Sequence, residues 1–222
     1  MLGAPTFALN SGEGCPPVAT QSILQSRRGT SGEPHRASVA SNPNPLVDDI
    51  PLVMTHEIEQ RVVSTGTPVV RPATVVEQKD LEALQWRASL ENAGDREALL
   101  ANPDAIELPL SQIESGLVFV AEKAGVTVGF AAVLPREDGQ MELDALFVEP
   151  SMWRQGIGKV LLDRCVEAAR THGAVALHVV GNPHAEAFYR SCGFQQIGTI
   201  HTRFGPGLSF RLMIQPAGTP TS

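Results

Sequence analysis

The chain has 222 residues, which is enough for one domain of ordinary size and a substantial further segment. Hydrophobic residues make up 42% and charged residues 18%, and no apolar run reaches the roughly 18 residues of a membrane span, so a membrane-embedded protein is not expected. The 17 Lys and Arg against 24 Asp and Glu give a net charge of −7, which disfavours nonspecific binding of nucleic acid.

The first 68 residues are predicted to be a disordered extension rich in Pro, Gly and Ser. They hold one of the eleven aromatic residues but eight of the 17 prolines, and cannot bury enough apolar area to offset their ordering entropy. The pattern fits neither a secretory signal nor a transit peptide. Two interpretations stay open: a flexible leader, with Met54 as an alternative first residue, or a docking tail or regulatory lid.

Periodic patterns begin near Val69, and we predict one domain over 69–216. Apolar residues at helical spacing predict helices over 77–90 and 95–101. Apolar runs then predict three strands, joined as an antiparallel meander, over 117–123, 126–134 and 141–148.

The second half of this domain predicts a parallel crossover. An amphipathic helix reaches about His172 and is followed by a buried strand over 174–180. The 25 residues over 149–173 suffice for a crossover, so the strands 141–148 and 174–180 should be parallel neighbours. A short helix and two closing strands complete an α+β domain, over 183–191, 194–201 and 208–214.

The loop over 153–158 lies between a predicted strand and a predicted helix, where backbone N–H groups and the positive helix end favour an anion. Its two glycines permit close approach of a ligand, and Arg154 and Lys159 add cationic donors. It is not a Walker loop, because Trp153 replaces the required glycine, nor a dinucleotide fingerprint, because Leu161 replaces the third one. Taken alone, the glycine pair is equally consistent with a tight turn.

Three sequence strings together resemble the central motifs of the GNAT superfamily of N-acetyltransferases. They are Glu-Leu-Asp-Ala-Leu-Phe-Val-Glu-Pro over 142–150, Trp-Arg-Gln-Gly-Ile-Gly-Lys-Val-Leu-Leu over 153–162, and Asn-Pro-His-Ala-Glu-Ala-Phe-Tyr-Arg-Ser-Cys-Gly-Phe over 182–194. The resemblance extends more loosely over 69–215. It implies a GNAT-like mixed, mostly antiparallel sheet with a splayed parallel strand pair and helices on both faces.

The resemblance also implies an acetyl-coenzyme A site. The residues it assigns to cofactor binding are Leu146, Phe147, Val148, Trp153, Arg154, Gln155, Gly156, Ile157, Gly158, Lys159 and Asn182. The strand end would offer backbone groups to the pantetheine arm at a splay between Val148 and the start of the strand 174–180. Trp153 stands where the family has Gln or Arg. Asn182, which precedes Pro183, is also a ready helix N-cap, and both roles are open.

Two carboxylates are candidates for the base that an amine acceptor needs, since deprotonating an ammonium of pKa near 10 at neutral pH costs about 4 kcal/mol. By the two-residue period of a strand, Glu142 and Asp144 should share one face. Leu146 and Val148 should follow on that same face. The resemblance aligns Glu142 with the base of some family members, while the alternative is that both carboxylates only face solvent or a sheet edge.

Tyr189 is the candidate acid. It is the chain's one tyrosine, and the resemblance implies that it donates a proton or hydrogen bond to the departing coenzyme A sulfur. A phenol keeps its proton at neutral pH and can give it to a thiolate. The alternative is a core tyrosine without a chemical role.

The remaining reactive residue types predict no further site. The histidines lack metal-ligand spacing, so no metal is expected. Cys15, Cys165 and Cys192 are too few and too widely spaced for a disulfide framework, which predicts a cytoplasmic setting. Neither Cys165 nor Cys192 has the neighbours of a nucleophile.

The predicted function is transfer of an acetyl group from acetyl-coenzyme A to a primary amine of a small molecule or peptide, in one ternary complex. The alternatives are a catalytically silent coenzyme A-binding module and an interaction protein steered by residues 1–68. Neither nucleic acid nor a membrane is an expected partner, and a homodimer is left open.

Overall fold

The structure is a computed structural model that describes residues 19–21, 66–92, 96–202 and 205–215. Most of the predicted N-terminal extension lies outside these residues. Within them the strands are β1 (Ala19–Gln21), β2 (Val69–Pro72), β3 (Val118–Lys123), β4 (Val126–Pro135), β5 (Met141–Val148), β6 (Ala176–Gly181), β7 (Gln195–Thr202) and β8 (Gly205–Met213). The α-helices are α1 (Gln78–Leu90), α2 (Arg96–Ala101), α3 (Leu110–Glu114), α4 (Ile157–Thr171) and α5 (Glu186–Ser191). None of these helices is long and apolar enough to cross a membrane.

One mixed sheet organises the domain. Seven strands follow the order β2-β3-β4-β5-β6-β8-β7, and β1 pairs with β5 outside this path. The pair β5–β6 is parallel, and the other neighbours in the described sheet are antiparallel. The predicted mixed, mostly antiparallel sheet with one parallel pair is therefore confirmed.

Two hydrophobic cores cover the two faces of the sheet. One core packs α4 and α5 against the sheet through residues such as Leu161 and Phe188, with Leu143 on β5. The other packs α1 and α3 against it through residues such as Leu84 and Ile113. The predicted helices on both faces are confirmed. We call these surfaces the α4 face and the α1 face.

A β-bulge interrupts the pairing of β4 with β5. Ala132 pairs with Ala145 while Val133 pairs with Leu143, so Asp144 is an extra residue without an opposite number. The prediction that four alternate residues of this strand share a face is therefore wrong. Leu146 and Val148 lie in the core on the α4 face, because the extra residue reverses the alternation.

The parallel pairing of β5 with β6 is short. It joins residues 141–143 of β5 to residues 177–179 of β6 and does not continue to the carboxyl ends of the strands. The predicted splay is present, but it lies at the end of β6 and not at its start, because parallel strands bring their carboxyl ends to the same edge. Beyond the last parallel pair, Ala145–Phe147 of β5 pair with β1.

Candidate active site

The loop between β5 and α4 has the backbone of an anion site. Arg154 has a φ of +63° and Gly156 a φ of +79°, and Gly156 is the N-cap of α4. A non-glycine residue with positive φ is uncommon and marks a backbone that its surroundings hold in place. Such left-handed residues turn successive N–H groups toward one side, which forms a concave site for an anion.

The first turn of α4 adds donors to this loop. A helix leaves its first amides without intrahelical acceptors, and here these belong to Ile157, Gly158 and Lys159. The Lys159 ammonium itself contacts Asp163 at 2.8 Å, which raises the pKa of Lys159. Arg154 is exposed at the loop surface.

Two contacts fix the loop to the sheet. The indole Nε1 of Trp153 donates to the backbone oxygen of Val148 at 2.8 Å, which ties the first loop residue to the last residue of β5. Lys123, at the end of β3, donates to Oε1 of Gln155 at 2.8 Å. Trp153 thus positions the loop. Its role could not be inferred from the resemblance, because the family has Gln or Arg at this place. Lys123 was missed by sequence reasoning, because it lies 32 residues away in the chain.

The edge of β5 facing the splay is the second element of the site. Backbone groups of a strand that has lost its neighbour need other partners when they are buried. At Ala145–Phe147 the partner is β1. This edge therefore accepts an extended chain, as the predicted contact with a pantetheine arm requires.

Tyr189 lies at the end of β6, beside the splay. Its side chain is fully buried, and its ring centroid lies 5.3 to 5.5 Å from those of Phe188, Phe194 and Phe210. A Cβ at Gly181, the last residue of β6, would lie 2.8 Å from Cε2 of Tyr189. Gly181 thus lets the phenol ring lie against the strand. A glycine at the end of a buried strand often marks such a close approach, so the sequence did contain a signal for this contact.

Asn182 follows β6 directly and takes the predicted N-cap role. Its Oδ1 accepts a hydrogen bond from the backbone N–H of His184 at 2.9 Å, at the start of the short 3-10 helix Pro183–Ala185. The cofactor contact implied for Asn182 stays a prediction.

The two candidate carboxylates have different surroundings. Arg136 Nη1 donates to Oε2 of Glu142 at 3.0 Å. Asp144 has no cationic partner among the described residues; its one hydrogen bond there comes from Nε2 of Gln112 on α3, at 3.5 Å. Burial, and secondarily the charge of Glu142, raise the pKa of Asp144 from its ordinary 3.8 to about 7. The Asp144 carboxyl is thus partly protonated and partly ionised near neutral pH.

Other titratable groups near the site are inert or neutral. His178 pairs with Glu142 across the parallel strands, and desolvation together with Arg136 lowers the pKa of its imidazole. Burial raises the pKa of the Cys165 thiol, which therefore does not act as a nucleophile. Within the described part of the chain, no group of three or more His, Cys, Asp or Glu is arranged to hold a metal ion.

Comparison with known proteins agrees with this geometry. The family model for the GNAT acetyltransferases matches residues 79–194. None of the curated proteins matches the chain. Among solved structures, the PaiA N-acetyltransferase of Thermoplasma acidophilum, in complex with coenzyme A, is similar with a TM-score of 0.56 and 17% identity. The matched region covers 67% of this chain and 99% of the PaiA chain.

Two further solved structures share the fold. The ribosomal-protein-S18-alanine N-acetyltransferase of Escherichia coli has a TM-score of 0.51 and 19% identity, over 70% of this chain and 99% of its own. A GCN5-related N-acetyltransferase of Rhodopseudomonas palustris has a TM-score of 0.53 and 22% identity, over 67% and 96%.

Proposed function

The chain belongs to the GNAT acetyltransferase family, whose activity is acetyl transfer from acetyl-coenzyme A, and we propose that its acceptor is a primary amine of a small molecule or peptide. The observation that carries the proposal is the continuity of two features. A loop with left-handed residues at the start of α4 is tied by Trp153 to the strand edge that faces the splay.

The residues present fit coenzyme A. The amides of residues 157–159 and the Arg154 side chain would hold the pyrophosphate, because they combine backbone donors, the helix end and a cation. The edge of β5 at residues 146–148 would pair with the pantetheine amides, which would displace β1 from it. When bound, acetyl-coenzyme A supplies the activated acyl group, and the protein's contribution is to orient the amine and manage its protons.

We assign the base role to Asp144 in preference to Glu142. A base is most effective when its pKa lies near the working pH, and burial brings the pKa of Asp144 to about 7. The Glu142 carboxylate is held by Arg136. Asp144 would accept one amine proton as the nitrogen bonds to the acyl carbon.

Tyr189 is the proposed acid. It belongs to the core on the α4 face, whereas Gln112, the partner of Asp144, lies on α3 on the α1 face. The two groups thus approach the splay from opposite faces of the sheet. This suits a transfer in which the amine enters from one face while Tyr189 gives its proton to the departing sulfur on the other.

The proposal is tested by free-thiol release with acetyl-coenzyme A over polyamines, amino acids, aminoglycosides and peptide N-termini. Calorimetry with acetyl-coenzyme A measures cofactor binding separately. Tyr189→Phe should keep the binding heat and reduce thiol release by about 10²-fold or more. Binding without release for every amine would instead favour a catalytically silent coenzyme A-binding module.

A matched glycine pair tests the loop. Gly156→Val and Gly173→Val, at the two ends of α4, replace glycines of nearly equal φ, +79° and +76°, that both have open space around them. The backbone strain should therefore be similar in the two variants. Only Gly156→Val should lose cofactor binding, and an equal loss in both would remove the loop from the proposed site.

A further inference from the structure

An unsatisfied oxygen lies next to the proposed base. Among the buried side-chain nitrogen and oxygen atoms of the described residues, Oε1 of Gln112 alone lacks a hydrogen-bond partner. The other end of the same amide, Nε2, reaches Oδ2 of Asp144 at 3.5 Å, which is a long hydrogen bond. Buried polar atoms are nearly always paired, so this oxygen needs an explanation.

Rotating the amide does not remove the mismatch. If Gln112 is turned by 180°, its oxygen faces the Asp144 carboxylate, and two acceptors meet unless Asp144 is protonated. Even then, Nε2 becomes the buried atom without a partner. In either orientation the pair has capacity left for one more group, and with ionised Asp144 that group must be a donor.

We propose that Gln112 is an acceptor-binding residue that, together with Asp144, receives the two N–H groups of a neutral primary amine. This inference rests on the proposed function. One N–H would donate to Oε1 of Gln112 and the other to the carboxylate of Asp144, which leaves the nitrogen lone pair free. As the carbon–nitrogen bond forms and the carbon–sulfur bond breaks, the proton of the N–H that donates to Asp144 moves to its carboxylate. The product amide keeps the other N–H, which donates to Gln112.

The arrangement selects primary over secondary amines. A secondary amine has a single N–H, which must go to Asp144 because that proton is lost in the reaction. Its additional carbon then lies against Oε1 of Gln112, which stays without a donor. A site built to hydrogen-bond an N–H discriminates against the analogue that lacks it, because the site's own polar atom is left unpaired.

The experiment compares butylamine with N-methylbutylamine, together with the fastest amine of the acceptor panel and its N-methyl derivative. The full chain is measured as wild type, as Gln112→Met, which keeps the length of the side chain but removes its polar atoms, and as Ser111→Ala. Ser111 is an exposed neighbour on the same helix and serves as the matched control. Thiol release gives kcat/KM, calorimetry gives the affinity for acetyl-coenzyme A, and a thermal scan gives Tm.

We expect Gln112→Met to lower kcat/KM for the primary amine by about tenfold, the usual effect of losing one such hydrogen bond, and to leave the N-methyl amine unchanged. Cofactor affinity should be unchanged, and Tm should be equal or higher because an unsatisfied polar atom has been removed. Ser111→Ala should match the wild type. An equal fall for both amines, or a lower Tm, would show a structural role and overturn the inference. Wild-type binding of acetyl-coenzyme A with no turnover of any amine would contradict the proposed function as well.

Discussion

Replacing Asp144 by asparagine should make the protein more stable and less active. Its carboxyl has a pKa of about 7 in the folded chain against an ordinary 3.8, chiefly because it is buried. The unfolded chain ionises first as pH rises, so the folded state loses stability between about pH 4 and pH 7. At about 1.4 kcal/mol per tenfold change in the ionisation constant, the loss reaches about 4 kcal/mol. An asparagine cannot ionise, so the Asp144→Asn variant should not lose this stability.

The assay is urea unfolding of both chains at several pH values between 4 and 8. The difference in unfolding free energy should be small near pH 4 and should grow to about 4 kcal/mol in favour of Asp144→Asn by pH 8. Glu77, whose pKa is lowered to about 2 mainly by Arg71, acts in the opposite sense, because its stabilisation is lost as pH falls below its ordinary 4.5. That contribution is common to both chains and cancels in the difference.

The same variant tests the chemistry. Thiol release should fall by about 10² to 10⁴-fold, the usual contribution of a general base. Asp104→Asn makes the same change at an exposed position and should alter neither quantity. A stability difference that does not depend on pH would refute the reasoning about burial. A pH-dependent stabilisation with activity retained would refute the assignment of Asp144 as the base.

Three other predictions follow from single contacts. Gly181→Ala places a Cβ 2.8 Å from the Tyr189 ring, so it should lower the free energy of unfolding by about 1–3 kcal/mol and reduce thiol release; Gly198→Ala, where the space is open, should do neither. Trp153→Phe removes the indole donor to the last residue of β5 and should weaken acetyl-coenzyme A binding in calorimetry, whereas an unchanged affinity would mean that the loop is held by other contacts. Thr20→Pro should weaken the pairing of β1 with β5 and so raise the affinity for acetyl-coenzyme A in calorimetry. An unchanged affinity would mean that β1 and the cofactor do not compete for that edge.

Long elements with clear periods were predictable from the sequence. The helix α4, with an apolar stripe and glycines near both ends, lies where the pattern placed it, and β5 has the predicted bounds. The missed elements are short: β1, β2 and α3 have three, four and five residues, which is too few for a repeating hydrophobic pattern to be recognised. Because α3 was not predicted, Gln112, which lies on it, was not identified as a candidate site residue.

The contacts that assemble the site could not be read from local patterns. Gln112 meets Asp144 across 32 residues, and Lys123 meets Gln155 across the same separation. A sequence window shows which residue types could bind an anion or move a proton, but the choice among them depends on which chain segments the sheet brings together. The length of the crossover predicted the parallel strand pair, the resemblance to a family supplied the splay, and the contacts specific to this chain had to come from the structure.

The bulge at Asp144 shows most clearly why the two carboxylates could not be separated in advance. A two-residue period assigns Glu142 and Asp144 the same environment, and it would also place Leu146 beside them. One extra residue in β5 sends Leu146 into the core on the α4 face and leaves Asp144 half-buried next to an uncharged amide. Glu142, before the bulge, stays within reach of Arg136. Because ionisation depends on burial and partners, desolvation at this point of the strand raises the pKa of Asp144 to about 7.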